Sequence, residues 1–196
     1  MILETIITTL NVDGTLNVSP MGPTVNLEAD GTPSLDLFEL RPFNTSKTFA
    51  NLKRTKAGVL HITDNVELFA RAAIGEFKVV PEAYQCLMIE GKVLRDACRS
   101  YEFQVEYIDE TGPRMNLNCR TVQVHRNRDF FGFNRAKHAV LEAAIIATRL
   151  DFLPAAEVAD QFIRFNTIVG KTGALNEQRA MDLLNQFVQD EGNARA

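Results

Sequence analysis

The chain has 196 residues, of which 45% are hydrophobic and 23% charged, and its formal net charge is -4. This composition is typical of a folded globular domain and argues against a disordered chain or a membrane protein. The mild acidity argues against binding of nucleic acid through phosphate neutralisation, so we expect a cytoplasmic protein whose partners include neither nucleic acid nor a membrane.

The first two thirds of the sequence reads mainly as strands. Residues 3–10 are rich in Ile and Thr, and Asp13-Gly14 is a strong turn signal, so we expect the chain to begin with a hairpin. The returning strand reaches Ser19-Pro-Met-Gly22, where the proline cannot donate to a sheet and must lie at a strand end, edge or bulge. We expect the backbone to open at that point.

Two short helices interrupt the strands in the middle of the chain. A strand is predicted at residues 35–43, a helix at 46–55 and a buried strand at 57–62. The pattern Asp64-Asn-Val-Glu67 is that of a capping box. It predicts a second helix whose start is satisfied by the protein's own carboxylates.

The last part of the sequence changes from strands to helices. Strands are predicted at 83–90, 101–107 and 114–125, and helices at roughly 134–150, 154–169 and 175–188. Because Glu102, Gln104 and Glu106 alternate with apolar residues, one side of the sheet is expected to face water. The order predicts an α+β fold, with a barrel or strongly curled sheet at residues 1–130 and a helical subdomain at 131–196.

Cysteine and histidine are too scattered to indicate a metal site. The three cysteines include no Cys-x-x-Cys pair, and the three histidines include no zinc-binding helix pair, so we predict free thiols and no metal. The sequence also lacks a recognisable Ser/His/Asp, Cys/His or paired-carboxylate arrangement. Catalytic side chains are therefore not predicted.

The start of the helix at 46–55 has the character of an anion site. Thr45 or Ser46 would be the N-cap, and the first turn carries Lys47 and Thr48 where helix stability alone would favour an acid. Arg41 could fork onto phosphate oxygens, and the free NH groups of the helix start would complete the cradle. An ordinary Ser/Thr cap with solvated basic neighbours explains the same residues equally well.

A second helix start is also basic. Asn134 is a good N-cap, but Arg135, Lys137 and His138 put positive charge at the positive end of the helix dipole, an arrangement that an anion would relieve. Solvated basic side chains and a pair between His138 and Glu142 are the alternative. An enzyme with such helix starts but no catalytic side chains would most naturally use a phosphate-bearing cofactor.

The order of the motifs resembles a known family. It runs through Glu4-Thr-Ile-Ile-Thr-Thr, Asp13-Gly14, Ser19-Pro-Met-Gly22, Arg41-Pro-Phe, Ser46-Lys-Thr-Phe-Ala-Asn-Leu52, Asp64-Asn-Val-Glu-Leu-Phe69, Phe133-Asn-Arg-Ala-Lys137 and Glu142-Ala-Ala-Ile-Ile-Ala-Thr-Arg149. Together these motifs resemble the uncharacterised flavin-reductase-like proteins of family 447 of the domains of unknown function. The resemblance implies an antiparallel split β-barrel that binds FMN and a homodimer with the flavin at its interface.

The resemblance also implies roles for particular residues. Backbone groups of Ser19, Pro20, Met21 and Gly22 would line the isoalloxazine ring, and the phosphate would be held by Arg41, Thr45, Ser46, Lys47 and Thr48. Asn51 could donate from the same helix. Asn134, Arg135 and Lys137 would approach the flavin from the partner chain or hold a charged substrate, and both alternatives stay open.

The predicted function is that of an FMN-binding protein acting as a flavin-dependent oxidoreductase on an unknown small-molecule substrate. One alternative is a non-catalytic carrier or sensor that binds FMN or a deazaflavin. Another is a structural dimer without a cofactor.

Overall fold

The computed structural model describes residues 1–77, 79–112 and 114–195 of the chain. Its strands are β1 (Thr5–Leu10), β2 (Leu16–Met21), β3 (Thr24–Leu27), β4 (Pro33–Leu40), β5 (Ala57–Ile62), β6 (Ala83–Gln85), β7 (Lys92–Leu94), β8 (Arg99–Asp109) and β9 (Asn116–Arg126). Its helices are α1 (Lys47–Thr55), α2 (Val66–Ile74), α3 (Arg135–Ala147), α4 (Ala155–Thr172) and α5 (Leu175–Arg195). Within the described ranges, none of these helices is long and apolar enough to cross a membrane.

Seven strands form one antiparallel sheet in the order β2-β1-β5-β8-β9-β4-β3, and β6 pairs with β7 in a separate ladder. The ladder of the large sheet is not closed, so the predicted barrel is not confirmed, whereas the α+β class with an antiparallel sheet is. Residues just before β1 nevertheless reach the edge strand β3. Ile2 bridges Thr24, and the NH of Val25 donates to the carbonyl of Met1 over 2.8 Å.

The predicted hairpin and the predicted edge position of Pro20 are both present. β1 pairs with β2 from Thr5–Met21 to Leu10–Leu16, and Pro20 lies opposite Ile6. Since β2 is the outer strand of the sheet, the missing NH of Pro20 disrupts no further ladder.

The strand predicted at 83–90 is only partly correct, because β6 ends at Gln85 and the chain then bends. The cause is Glu102, whose carboxylate accepts hydrogen bonds from the NH groups of Leu87 (2.7 Å) and Met88 (2.8 Å). Glu102 is itself fully buried, so its predicted place on a water-facing side of the sheet is wrong. Residues 87–89 cover this position, and their NH groups satisfy the buried carboxylate. Pro113, at the end of the turn between β8 and β9, lies outside the described residues.

The chain forms two compact units, Met1–Thr63 with Val80–Asp129, and Asp64–Val79 with Phe130–Ala196. In the first unit the large sheet and α1 enclose a core that includes Ile7, Leu52 and Phe103, each with no exposed surface. Gly58 allows this close packing, because a Cβ at its position would lie 2.8 Å from the Phe103 ring.

The second unit is helical and contains α2 together with α3, α4 and α5. Its core is built on the alanine-rich face of α3, including Ala136 and Ala143, against Phe162 of α4 and Leu184 of α5. Small side chains at these positions let the helices approach closely, and the larger side chains fill the space between them.

Candidate functional site

The start of α1 is capped by Ser46, one of the two residues predicted for this role. Its Oγ accepts from the NH of Phe49 over 3.1 Å, and its hydroxyl donates to the carbonyl of Phe43 over 2.8 Å. The first turn contains no acidic residue. Thr45 lies in the preceding turn, and both Thr45 and Lys47 are exposed.

The start of α2 differs in its charge. Asn65 is the N-cap and accepts from the NH of Leu68, while Glu67 lies in the first turn and binds Arg71 over 2.7 Å. The helix start thus differs by one residue from the predicted capping box, since the N-cap is Asn65 and not Asp64. The Asp64 carboxylate also binds Lys137 over 3.0 Å. The contrast with α1 persists, since α2 places an acid against its positive end and α1 does not.

A groove of about 540 Å³ lies between β2 and the segment that enters α1. It includes six of the residues predicted for the cofactor, namely Ser19, Pro20, Met21, Gly22, Arg41 and Ser46. Its other lining residues are Ile2, Thr24, Pro42, Phe43 and Arg114. We call this region the arginine groove. Residues from four separate stretches of the sequence thus meet at one site.

Two guanidinium groups give the arginine groove its charge. Arg41 uses its Nε for a hydrogen bond to Asn116 (3.1 Å) and for an ion pair with Glu39 (3.7 Å). Arg114, which the sequence did not single out, lies with its Cζ 4.2 Å from the centre of the Phe43 ring. Stacking on an aromatic ring restrains a guanidinium while its NH groups stay available at the ring edge.

None of the described residues that line the arginine groove is acidic. Two other cavities of similar size each include a carboxylate, Glu90 in one of about 530 Å³ and Asp13 in one of about 500 Å³. The arginine groove thus combines two guanidinium groups with no acidic residue in its described lining, and it lies beside a helix start that has no acid. Such a site favours the binding of a dianion. Of these three cavities, the arginine groove is therefore the best suited to a phosphate.

One side of the arginine groove is formed by Ser19, Pro20 and Met21 of β2, and we call it the β2 wall. Gly22 lies at its end. A Cβ at this position would lie 2.8 Å from Cγ2 of Ile2, which is also a lining residue. A larger residue would push Ile2 from its place. The glycine thus permits the close approach of the first residues of the chain to the end of β2.

Thr48 and Asn51 do not line the arginine groove. Thr48 is 2% exposed and accepts from the Asn17 amide, and Asn51 is 4% exposed and donates to Thr9 and Asn11. Both side chains belong to the face of α1 that packs onto the sheet. Their polar atoms are engaged inside the protein, and their predicted contact with a phosphate is not supported by this geometry.

Asn134, Arg135 and Lys137 belong to the helical unit. Asn134 caps α3 by accepting from the NH groups of Ala136 and Lys137, and its amide donates to the carbonyl of Thr172. The Lys137 ammonium binds the carbonyl and the carboxylate of Asp64 over 2.8 and 3.0 Å. The polar groups of Asn134 and Lys137 thus have partners within the protein and need no external anion. Arg135 is exposed.

His138 also differs from its predicted alternative, a pair with Glu142. Its ring stacks on Phe133 with centroids 5.9 Å apart and an interplanar angle of 22°. Phe130 contacts the same Phe133 ring edge to face. His138 is thus part of a surface cluster of rings.

The buried polar groups of the sheet include His61 and Glu102, of which Glu102 was predicted to face water. Burial lowers the pKa of His61 to about 3, and the neutral ring accepts from the NH of Leu94 while its other nitrogen contacts the carbonyl of Ile6. Burial of Glu102 acts to raise its pKa, but hydrogen bonds from Leu87 and Met88 prevail and lower it. Both groups hold the sheet and its neighbouring loop together.

The fold and the site define an α+β protein similar in fold to the flavin reductases. Residues 3–128 match the model described as "Protein of unknown function (DUF447) N-terminal domain", and residues 134–186 match its companion, "Protein of unknown function (DUF447)". The chain therefore belongs to the DUF447 family, as its motifs predicted. No curated protein was found to be similar to it.

Solved structures are similar to this chain in fold. An FMN-bound DUF447 protein of Methanosarcina mazei is 21% identical, with a TM-score of 0.77 over 95% of this chain and 94% of that chain. The flavin reductase HpaC complexed with NADP+ is 20% identical, with a TM-score of 0.52 over 68% and 85% of the two chains. An FMN-binding protein of Thermus thermophilus with bound p-hydroxybenzaldehyde is 17% identical, with a TM-score of 0.51 over 67% and 75%.

Proposed function

We propose that this protein binds FMN with the phosphate in the arginine groove and acts as a flavin-dependent oxidoreductase of the split-barrel class. The observation that carries the proposal is a cavity with two guanidiniums, no lining acid and an acid-free helix start at its edge. Family membership and the likeness in fold to an FMN-bound protein support it.

The residues of the arginine groove fit the cofactor. Its volume of about 540 Å³ lies within the range of small-molecule sites, about 300–1,000 Å³. Arg41 and Arg114 supply forked donors for the phosphate, and Ser46 fixes the helix start whose NH groups face an anion. Thr45 and Lys47, exposed at the same helix start, add a hydroxyl and a positive charge.

The β2 wall has a different role, which is to line the flavin ring. Ser19, Pro20 and Met21 lie on an edge strand whose residues are all half-buried, and Gly22 follows directly. Bound FMN supplies hydride and electron transfer, which no side chain of the groove provides. The protein's contribution is to orient the ring, to anchor the phosphate and to exclude water from one face.

This proposed site is smaller than the one predicted from sequence. Thr48 and Asn51 are left out because they are buried and bonded internally, and Asn134 and Lys137 because they are engaged within the helical unit. Contact of Arg135 with a partner's flavin or with a charged substrate stays a prediction.

We also propose that the protein is a homodimer. Phe131 and Phe133 are 88% and 90% exposed, and Phe130 is 49% exposed. Aromatic side chains bury about 150–250 Å² each, so these three rings would supply about half of the roughly 800 Å² that each side of a standard interface buries. A second copy of the chain is the occupant that we propose for this cluster.

The proposal is tested by identifying the cofactor of the purified protein. Denaturation followed by mass spectrometry should release FMN, and anaerobic NADH or NADPH should then bleach the visible spectrum of the holoprotein. Bound FMN that no nicotinamide reduces would favour a carrier, and a bound deazaflavin would replace the proposed cofactor. A colourless protein whose melting temperature is unchanged by saturating FMN would contradict the proposal, because a ligand specific to the native state must stabilise it.

A further inference from the structure

A layer of buried polar side chains joins α1 to the hairpin of β1 and β2. The Asn51 amide donates to Thr9 Oγ1 over 3.0 Å and to Asn11 Oδ1 over 2.9 Å. From the other side, the Asn17 amide donates to the same Thr9 oxygen over 3.1 Å and to Thr48 Oγ1 over 3.0 Å. Thr9, Thr48 and Asn51 are each at most 4% exposed.

This layer connects the two walls of the arginine groove. Asn17 lies on β2 two residues before Ser19, so both side chains project from the same face of that strand. Thr48 lies in the first turn of α1, two residues after the Ser46 cap. The hydrogen bond between Asn17 and Thr48 therefore ties the wall proposed for the flavin ring to the helix start proposed for the phosphate.

These hydrogen bonds fix the distance between β2 and the start of α1 more firmly than apolar packing would. Both hydrogens of each amide go to oxygens of the layer, and a buried amide that loses its acceptor retains the full cost of desolvation. A displaced α1 would break these bonds together, because Thr9 accepts from both amides. The layer thus resists sliding of the helix along the hairpin.

We propose that Asn17 and Thr48, supported by Thr9 and Asn51, are positioning residues that set the spacing between the β2 wall and the phosphate-binding start of α1. This inference rests on the proposed FMN site. Thr48 then contributes to phosphate binding without touching the phosphate. Loss of the Thr48 hydroxyl should weaken the binding of a ligand that spans both walls. It should leave unchanged the binding of a ligand that uses the β2 wall alone.

The experiment compares the Kd of FMN with that of riboflavin, which lacks the phosphate, for four proteins. They are the wild type, Thr48→Val, Thr48→Ser and Thr8→Val. Thr8 is the matched control, because its hydroxyl is equally buried and donates to the carbonyl of Lys92 outside the layer. Thr48→Ser keeps the acceptor oxygen. Asn17→Ala, at a half-buried position, provides the same test if Thr48→Val does not fold.

We expect Thr48→Val to weaken FMN binding about tenfold and riboflavin binding less than about twofold. Thr48→Ser should restore the preference for FMN, and Thr8→Val should lower the melting temperature without changing that preference. If Thr48→Val prefers FMN over riboflavin as strongly as the wild type does, the positioning role alone is overturned. The same holds for Asn17→Ala where that variant replaces Thr48→Val. A wild type that binds both flavins equally overturns the phosphate site itself, and the positioning role with it.

Discussion

At the scale of single residues, the arginine groove depends on two guanidiniums from distant parts of the chain. Arg41 was predicted because it lies close in sequence to an acid-free helix start. Arg114 was not, since it follows the turn between β8 and β9 and reaches the groove only through its bridge to Phe43. A bridge between two segments far apart in the chain leaves no local signal in the sequence.

Replacing Arg114 tests its proposed role. Arg114→Ala should weaken FMN binding by about 1.5–3 kcal/mol, the range for a hydrogen bond to a charged group, and leave riboflavin binding unchanged. Arg120→Ala is the control, because Arg120 lies on the neighbouring strand β9 and binds Glu106 on the surface. Fluorescence titration measures both affinities. Equal losses of FMN affinity in the two variants would remove Arg114 from the site.

His61 makes stability depend on pH. Its pKa is about 3 in the folded protein, against an ordinary value of 6.5, because burial disfavours the charged ring. As the pH falls, the unfolded chain therefore binds a proton at His61 before the folded protein does. The stability that the neutral ring contributes is complete above pH 6.5 and is lost as the pH falls towards 3. The slope for one proton is at most about 1.4 kcal/mol per pH unit.

The variant His61→Gln isolates this effect. A glutamine side chain offers a donor and an acceptor but does not titrate, so His61→Gln should unfold with a flatter pH dependence between about pH 6.5 and 5. Urea denaturation at several pH values measures this dependence. Parallel profiles for the variant and the wild type would show that His61 is not the titrating group.

At the scale of elements, local signals predicted most of the fold. The hairpin, the edge position of Pro20 and the three C-terminal helices follow from turn residues, the missing proline NH and apolar periodicity. The end of β6 did not follow, because it depends on the carboxylate of Glu102, a residue of the later strand β8. The burial of Thr48 and Asn51 was missed because polar side chains on the inner face of a helix look solvated in a sequence.

The contrast between α1 and α2 predicts that an acid at the cap of α1 changes the affinity for FMN but not the free energy of unfolding. Ser46→Asp should keep the free energy of unfolding within about 0.5 kcal/mol, since Asp and Ser cap helices similarly well. The same carboxylate should repel a phosphate at the helix start and weaken FMN binding at least about tenfold.

The control is Asn65→Asp, the same kind of change at the cap of α2. It should retain FMN affinity, because α2 carries Glu67 in its first turn and is not part of the proposed site. Calorimetry and flavin titration measure the two quantities. If Ser46→Asp binds FMN as tightly as the wild type, the start of α1 does not hold the phosphate.

At the scale of the whole molecule, sequence order and spatial grouping differ. Residues 64–79, which contain α2, join the C-terminal helices although strands β6 to β9 follow them in the chain. Val66 and Ala70 are buried among residues of α3, α4 and α5. The apolar stripe of α2 was visible in the sequence, but a stripe does not identify the surface against which it packs.

The exposed aromatic cluster predicts the oligomeric state. Phe131→Asp combined with Phe133→Asp should convert a dimer into a monomer, because burying two unpaired carboxylates opposes association. Phe152→Asp is the control, since Phe152 is an 84% exposed ring outside the cluster. Sedimentation equilibrium measures the masses. A double variant that stays dimeric would place the interface elsewhere.

The affinity of the flavin-free wild-type protein for FMN and for riboflavin tests whether the arginine groove binds the phosphate of FMN. We predict that FMN binds at least about tenfold more tightly, which corresponds to about 1.4 kcal/mol, and that raising the salt concentration narrows the difference. Equal affinities, or no binding of either flavin, would show that the arginine groove does not hold the phosphate of FMN.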